Sequence, residues 1–215
     1  MAGGFLIALE GIDGAGKTTQ ARLLAAALRA RGFPVLLTRE PSDGVQGQRL
    51  RRYLQGDGPR LTPAKELQLF MADRREHVAH VIRPALSQGQ LVISDRYYYS
   101  SAAYQGAAGL DPRRILAQNE ALAPPPDLVF LLLLPPHLAL NRRRKETGLA
   151  RQLTEAADYL HQVAAIYQSF TGPHLHRLDA TLPVEEIHAT ILQITLAALA
   201  RHREEAQKPP PEWSS

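Results

Sequence analysis

The chain of 215 residues has no cysteine. Disulfide staples and thiolate metal sites are therefore excluded, and a reducing compartment suits the protein. Lysine is scarce, occurring only at positions 17, 65, 145 and 208, so the net charge of +4 is carried almost wholly by arginine. No apolar stretch approaches the roughly 20 residues that span a bilayer. No secretory h-region or cleavage site precedes the first apolar run, Phe5–Leu9. The sequence has no internal repeat, no long linker, no continuous basic stripe and no helix-turn-helix signature, which argues against a nucleic-acid-binding protein. The expectation is a soluble, cytoplasmic protein with neither a membrane nor a nucleic-acid partner. Arginine's planar fork then has another use, which is to hold several phosphates in one cleft.

What is present reads as an α/β protein. Apolar strands without polar alternation fall at Phe5–Leu9, Pro34–Thr38, Gln90–Asp95, Leu128–Leu134 and His174–Leu178. Helical patterns separate them, at 18–31, within 45–55 and 63–87, and at 97–106, 111–121, 136–144, 152–170 and 184–203. Unalternating strands joined by helices predict a doubly wound parallel sheet of about five strands with helices on both faces. One domain over 1–203 is expected, followed by a disordered, proline-containing tail at 204–215. The site of such a sheet lies at the carboxyl ends of its strands.

Gly11-Ile12-Asp13-Gly14-Ala15-Gly16-Lys17-Thr18 matches the phosphate-binding loop G-x-x-x-x-G-K-[ST]. Its glycines let successive backbone N–H groups turn toward phosphate oxygens, and the helix that Thr18 and Thr19 open adds the positive end of its dipole. Lys17 is expected to reach the β- and γ-phosphates of ATP, and the Thr18 hydroxyl to ligate Mg²⁺. Asp95 ends the third strand, where an acid can hold Mg²⁺ directly or through water. Arg96 follows it into the same cleft. Tyr97 to Gln105 then packs four tyrosines and a glutamine into nine residues, groups able to stack on a base or to read its amide edge. Phe70 and Arg74 are four apart and share a helix face, where a ring and a guanidinium could sandwich and hydrogen-bond a pyrimidine.

These residues resemble the bacterial thymidylate kinases. The resemblance rests on Leu9-Glu-Gly-Ile-Asp-Gly-Ala-Gly-Lys-Thr-Thr-Gln20, Thr38-Arg-Glu-Pro41, Phe70-Met-Ala-Asp-Arg74 with His77, and Asp95-Arg-Tyr97 followed by Ser100, Ser101 and Ala103-Tyr-Gln105. It implies transfer of the γ-phosphoryl group of ATP to thymidine monophosphate, with Mg²⁺, in a homodimer. It implies that Arg51 and Arg96 hold the acceptor phosphate, with Arg39 nearby, and that Asp13 lies close to the acceptor's sugar or phosphate. Phe70 would stack on the base, and Arg74 would bond a base carbonyl. Gln105, Ser100 and Ser101 would read the remaining edge, and Tyr104 would crowd the 2′ position. The P-loop contains no arginine. Resemblance to the subgroup that lacks it moves the catalytic arginine to a lid at about 142–152, as Arg151, with Arg142 placed against the adenine. Lys17, Arg96, Arg151 and Asp13 form the expected catalytic set.

Three positions depart from the family pattern. Ser42-Asp43-Gly44 stands where Gly-Gly-Thr usually follows Arg-Glu-Pro. Tyr99 stands where an acid is common, and Gln152-Leu153 follows Arg151 where an acid is usual. The first two border the acceptor site. A kinase of another nucleoside monophosphate and a non-catalytic nucleotide switch are the competing readings. A switch has no use for a second phosphate pocket.

Overall fold

The computed structural model describes residues 3–147 and 153–207. Its strands are β1 (Phe5–Glu10), β2 (Val35–Arg39), β3 (Leu91–Asp95), β4 (Leu128–Leu133) and β5 (Leu175–Asp179). They form one parallel sheet in the order β2-β3-β1-β4-β5. All six residues of β1 are buried. Successive side chains of a strand point to opposite faces, so the sheet is covered on both sides at its centre. The expected doubly wound α/β fold is what the chain adopts. Its edges are less buried than the apolar runs suggested. β2 is half-buried along Val35–Thr38, and β5 alternates, because an edge strand has a neighbour on one side only.

The helices are α1 (Lys17–Arg29), α2 (Val45–Leu54), α3 (Pro63–His77), α4 (Arg83–Ser87), α5 (Tyr98–Ala107), α6 (Pro112–Glu120), α7 (Pro136–Thr147), α8 (Leu153–Ser169) and α9 (Val184–Gln207). The helical span expected within 63–87 is divided. A π-turn at Val78–Ile82 separates α3 from α4, and in it the Arg83 N–H reaches back to the Val78 carbonyl. Pro84 explains the wider turn. Proline has no N–H to donate, and its ring clashes with the carbonyl four residues earlier. α9 continues through Gln207 rather than ending near 203. The rest of the expected disordered tail, 208–215, lies outside the described residues.

The strand order positions the site. From β1 the chain moves out to β2 and returns to β3 beside β1. It then crosses to β4 on the other side of β1. The crevice of such a sheet opens at the carboxyl ends of the strands where the order reverses. Leu9 of β1 and Arg39 of β2 both stand in register with Asp95 of β3. Glu40 and Arg96 therefore leave the sheet at the level of Glu10, one residue before Gly11. Glu10 is the last residue of β1, and it is fully buried.

Candidate active site

The P-loop leaves β1 through Gly11, whose φ is 141°. A Cβ there would stand 2.4 Å from the Leu132 carbonyl oxygen of β4, so only glycine fits. Gly16 caps α1 in the left-handed conformation and offers no side chain to the first-turn N–H groups. Those donors are left for an anion. Lys17 lies across the loop, its Nζ donating to the Ile12 carbonyl at 2.8 Å. Burial, with Arg96 acting in the same direction, pushes its ammonium down to about 7 against the opposing pull of Asp13, Asp95 and Glu10. A polyphosphate in the loop would restore that charge.

The structure brings together Thr18 and Asp95, the two residues expected at the metal. The Thr18 hydroxyl donates to Asp95 Oδ2 at 2.5 Å. Asp95 Oδ1 is buried with no hydrogen-bond partner among the described residues. Hard oxygen donors with one acceptor to spare fit Mg²⁺, which keeps several of its waters and takes few protein ligands. A cleft of about 480 Å³ runs over the loop and takes in Arg39, Glu40, Asp95 and Arg96. Its far wall is Ala180, Leu182, Val184 and Ile187, on and before α9. The sequence reading missed that wall, because no motif marks it. Gln20 ties the wall to α1 by donating to the Val184 carbonyl at 2.9 Å.

Arg96 joins the two halves of the cleft. Its guanidinium meets Asp13 Oδ1 at 2.5 Å, the Gly11 carbonyl at 3.2 Å and Ser100 Oγ at 2.9 Å. It also lies 5.3 Å from the centre of the Tyr104 ring, and the Tyr104 hydroxyl accepts from the Asp13 N–H at 3.2 Å. The φ of Arg96 is 75°, a left-handed conformation that costs a residue with a Cβ about 1–2 kcal/mol. What holds it there is Glu10, which the sequence reading quoted without giving it a role. The Glu10 carboxylate accepts from the Tyr97 and Ser100 N–H groups, the Ser100 hydroxyl and the Tyr167 hydroxyl. Burial raises its pKa even so, with those bonds and Arg96 pulling the other way. The available signal was an acid closing an otherwise apolar strand.

A second cluster is built from α3, α5 and the loop after β2. Arg74 is buried at 1% exposure rather than solvated. It donates to Glu40 Oε2 from both Nε and Nη2, and to Ser101 Oγ and Asn119 Oδ1 from Nη1. Four of its five N–H groups are thus engaged. Glu40 also meets His77, which in turn meets Thr38. Two turns before Arg74 on α3, Glu66 pairs with Gln105 of α5 at 2.8 Å. The Arg74–Ser101 and Glu66–Gln105 contacts are two rungs between the same helices. Phe70, half-buried, stands midway between the rungs on the shared face.

Most of the tyrosine cluster serves packing instead. Tyr97, Tyr98 and Tyr99 are buried in the core, and the Tyr97 and Tyr99 hydroxyls bond the Pro124 carbonyl and His174. Of the four tyrosines in the cluster, only Tyr104 reaches the P-loop. Arg39 and Arg51 converge on Asp43, at 3.0 and 3.1 Å. Arg51 also donates to the Pro41 and Ser42 carbonyls. Arg151 lies outside the described residues, as do the side chain of Arg142 and the rest of the expected lid's centre.

Known proteins extend this picture. The family model described as thymidylate kinase matches residues 9–191. The chain is 42% identical over 189 residues to the thymidylate kinase of Desulfotalea psychrophila, covering 88% of this chain and 93% of that one. It is 45% identical over 198 residues to that of Xanthomonas campestris pv. campestris, covering 92% and 86%. With that of Brachyspira hyodysenteriae it shares 41% identity over 189 residues, covering 88% and 92%. A P-loop whose Asp13 is paired with Arg96, together with similarity along nearly the whole chain, gives one conclusion: the chain belongs to the thymidylate kinase family.

Proposed function

We propose that the chain transfers the γ-phosphoryl group of ATP to thymidine monophosphate, with both nucleotides held in this cleft. The observation that carries the reading is the Asp13–Arg96 pair. It fixes an acceptor-side arginine to the donor loop itself, so two anion sites share one wall.

Phosphoryl transfer asks mainly for positioning and charge neutralisation. The free N–H groups at the start of α1 and the Lys17 ammonium hold the donor's β- and γ-phosphates. Arg96 and Arg51, with Arg39 beside them, bring the acceptor phosphate in line and offset the repulsion between two anions. No strong general base is needed, because a phosphate monoester is already nucleophilic near neutral pH. Thr18 and Asp95 would hold Mg²⁺. That ion, when bound, supplies further neutralisation of the triphosphate. Phe70 stacks on the base, Arg74 offers its remaining N–H to a base carbonyl, and Gln105 and the serines meet the other edge. Tyr104 crowds the 2′ position and favours deoxyribose. We assign 142–152 to a lid that excludes water, with Arg151 on the transferring group and Arg142 on the adenine. A cytoplasmic homodimer is the setting and assembly we propose, on the family resemblance alone.

A coupled assay of ADP release over a panel of nucleoside monophosphates tests the activity. Turnover should be fastest with thymidine monophosphate. ATP binding with no acceptor-dependent turnover would sink the reading and favour a switch. Phe70→Ala should raise KM for the monophosphate roughly tenfold, since base–aromatic stacking contributes about 1–3 kcal/mol, while KM for ATP stays nearly constant. A parallel rise in both would remove Phe70 from the base. Arg151→Ala should lower kcat by about 10³-fold or more, the effect of an arginine acting on the moving phosphoryl group. Its Kd for ATP, measured by titration, should change little. An unchanged kcat would take Arg151 out of the catalytic set.

A further inference from the structure

Gln105 has two ends that the protein treats differently. Its side chain is buried at 1% exposure. The amide nitrogen donates to Glu66 Oε1 at 2.8 Å. The amide oxygen has no hydrogen-bond partner among the described residues. Such a group is expensive to leave bare, which marks it for a ligand.

The chemistry of Glu66 fixes which end is which. A carboxylate only accepts hydrogen bonds, so Gln105 can present only its NH₂ to it. The flipped amide would set oxygen against oxygen. Glu66 is itself held from the far side. Its Oε2 accepts from the Tyr53 hydroxyl at 2.9 Å, and that hydroxyl accepts from the Leu61 N–H at 3.3 Å. Donation therefore runs in one sense, from Leu61 through Tyr53 to Glu66, and from Gln105 to the same carboxylate. Glu66 lies one helical turn before Phe70 and two before Arg74, so the lock borders the place between the two α3–α5 rungs.

We infer that Glu66 is a positioning residue that locks the Gln105 amide with its oxygen turned to the nucleobase. The cleft then selects a base carrying a ring N–H over one with a bare ring nitrogen. Thymine and uracil present N3–H to that oxygen and pair with it. Cytosine presents an N3 lone pair, so two acceptors face each other in a buried place. A site built to pair one donor rejects the analogue that lacks it more strongly than an apolar pocket can. The inference rests on the assignment of Phe70 and Gln105 to the base.

The test is the ratio of kcat/KM for thymidine monophosphate to that for deoxycytidine monophosphate, in the full chain. Glu66→Gln replaces the acceptor-only carboxylate with an amide that can accept or donate, so Gln105 is free to turn. The ratio should fall by about tenfold or more. The discrimination that Arg74 adds at the exocyclic position stays. Glu66→Ala, which removes the lock outright, should move the ratio the same way. A loss of fold or packing lowers both kcat/KM values together and leaves the ratio where it was. A ratio unmoved in Glu66→Gln overturns the inference. Gln105→Ala separates the two levels. If it leaves KM for thymidine monophosphate unchanged, the base assignment itself is wrong. If it raises that KM while Glu66→Gln leaves the ratio alone, only the role of Glu66 fails.

Discussion

Arg96→Gly is expected to lower kcat/KM for the monophosphate by about 10³-fold while lowering stability by no more than about 2 kcal/mol. The two effects have separate origins. Removing a preorganised charged donor from a phosphoryl-transfer site costs on the order of 10²–10³ in rate. Arg96 also links Asp13, Gly11 and Ser100, so the upper figure applies. On the stability side, Asp13 is half-exposed and exposed ion pairs contribute about 0–1 kcal/mol, but Arg96 is only 17% exposed and its bonds to Gly11 and Ser100 are lost as well, each worth about 0.5–1.5 kcal/mol. Glycine at φ 75° relieves about 1 kcal/mol of backbone strain that arginine carries. Urea unfolding and steady-state kinetics on one preparation give both numbers. A much larger loss of stability would show that the guanidinium's bonds to Asp13, Gly11 and Ser100 hold the fold. Unchanged kinetics would remove Arg96 from the acceptor phosphate.

Arg74→Met should destabilise the fold by about 3–5 kcal/mol, the usual cost of leaving one member of a buried ion pair alone. Glu40 and Arg74 have side-chain exposures of 4% and 1%. In the parent, burial works to raise the Glu40 pKa, but Arg74 and His77 outweigh it and hold the carboxylate below its ordinary 4.5. That contribution is complete above pH 4.5 and is lost only as pH falls through the lower native value. Without Arg74 burial dominates, and the native carboxyl lies above 4.5. The variant then gains relative stability as pH falls through that raised value. The gap between the two proteins should be widest near pH 7.5 and narrow toward pH 5. A gap that is constant or grows on acidification would show that Glu40 is not the group left exposed to burial. Adding Glu40→Gln to Arg74→Met should recover part of the loss, and the double-mutant cycle measures the coupling.

Much of the site was legible in the sequence because its chemistry dictates residue types at short spacing. The P-loop needs glycine where the backbone passes the Leu132 carbonyl, and lysine and threonine where a helix begins. Asp95 and Arg96 follow from a strand end. What could not be read were partnerships across the fold. Arg74 was read only as a base contact, because Glu40 lies 34 residues away on another element and Asn119 lies 45 away. Once these groups meet, the arginine is satisfied indoors. The run Tyr97–Tyr99 looked like a base platform, since composition cannot say that these three rings are buried in the core. Glu10 and Glu66 act through side chains 90 and 39 residues distant. The split of the 63–87 helix had a signal in Pro84, which costs the preceding turn its regular bond.

The short bridge from Asp43 to Arg39 and Arg51 changes what the acceptor corner is when no nucleotide is there. On the proposed reading, a phosphate arriving at Arg51 does not enter a bare cationic trap. It exchanges with a carboxylate already in place. Free inorganic anions gain little from such an exchange. A nucleotide tethered through its base at Phe70 brings its phosphate to the arginines at high effective concentration, and that tether is what tips the balance. The departure from the usual Gly-Gly-Thr would then work as an anion filter, favouring ligands that bind at two points over those that carry charge alone.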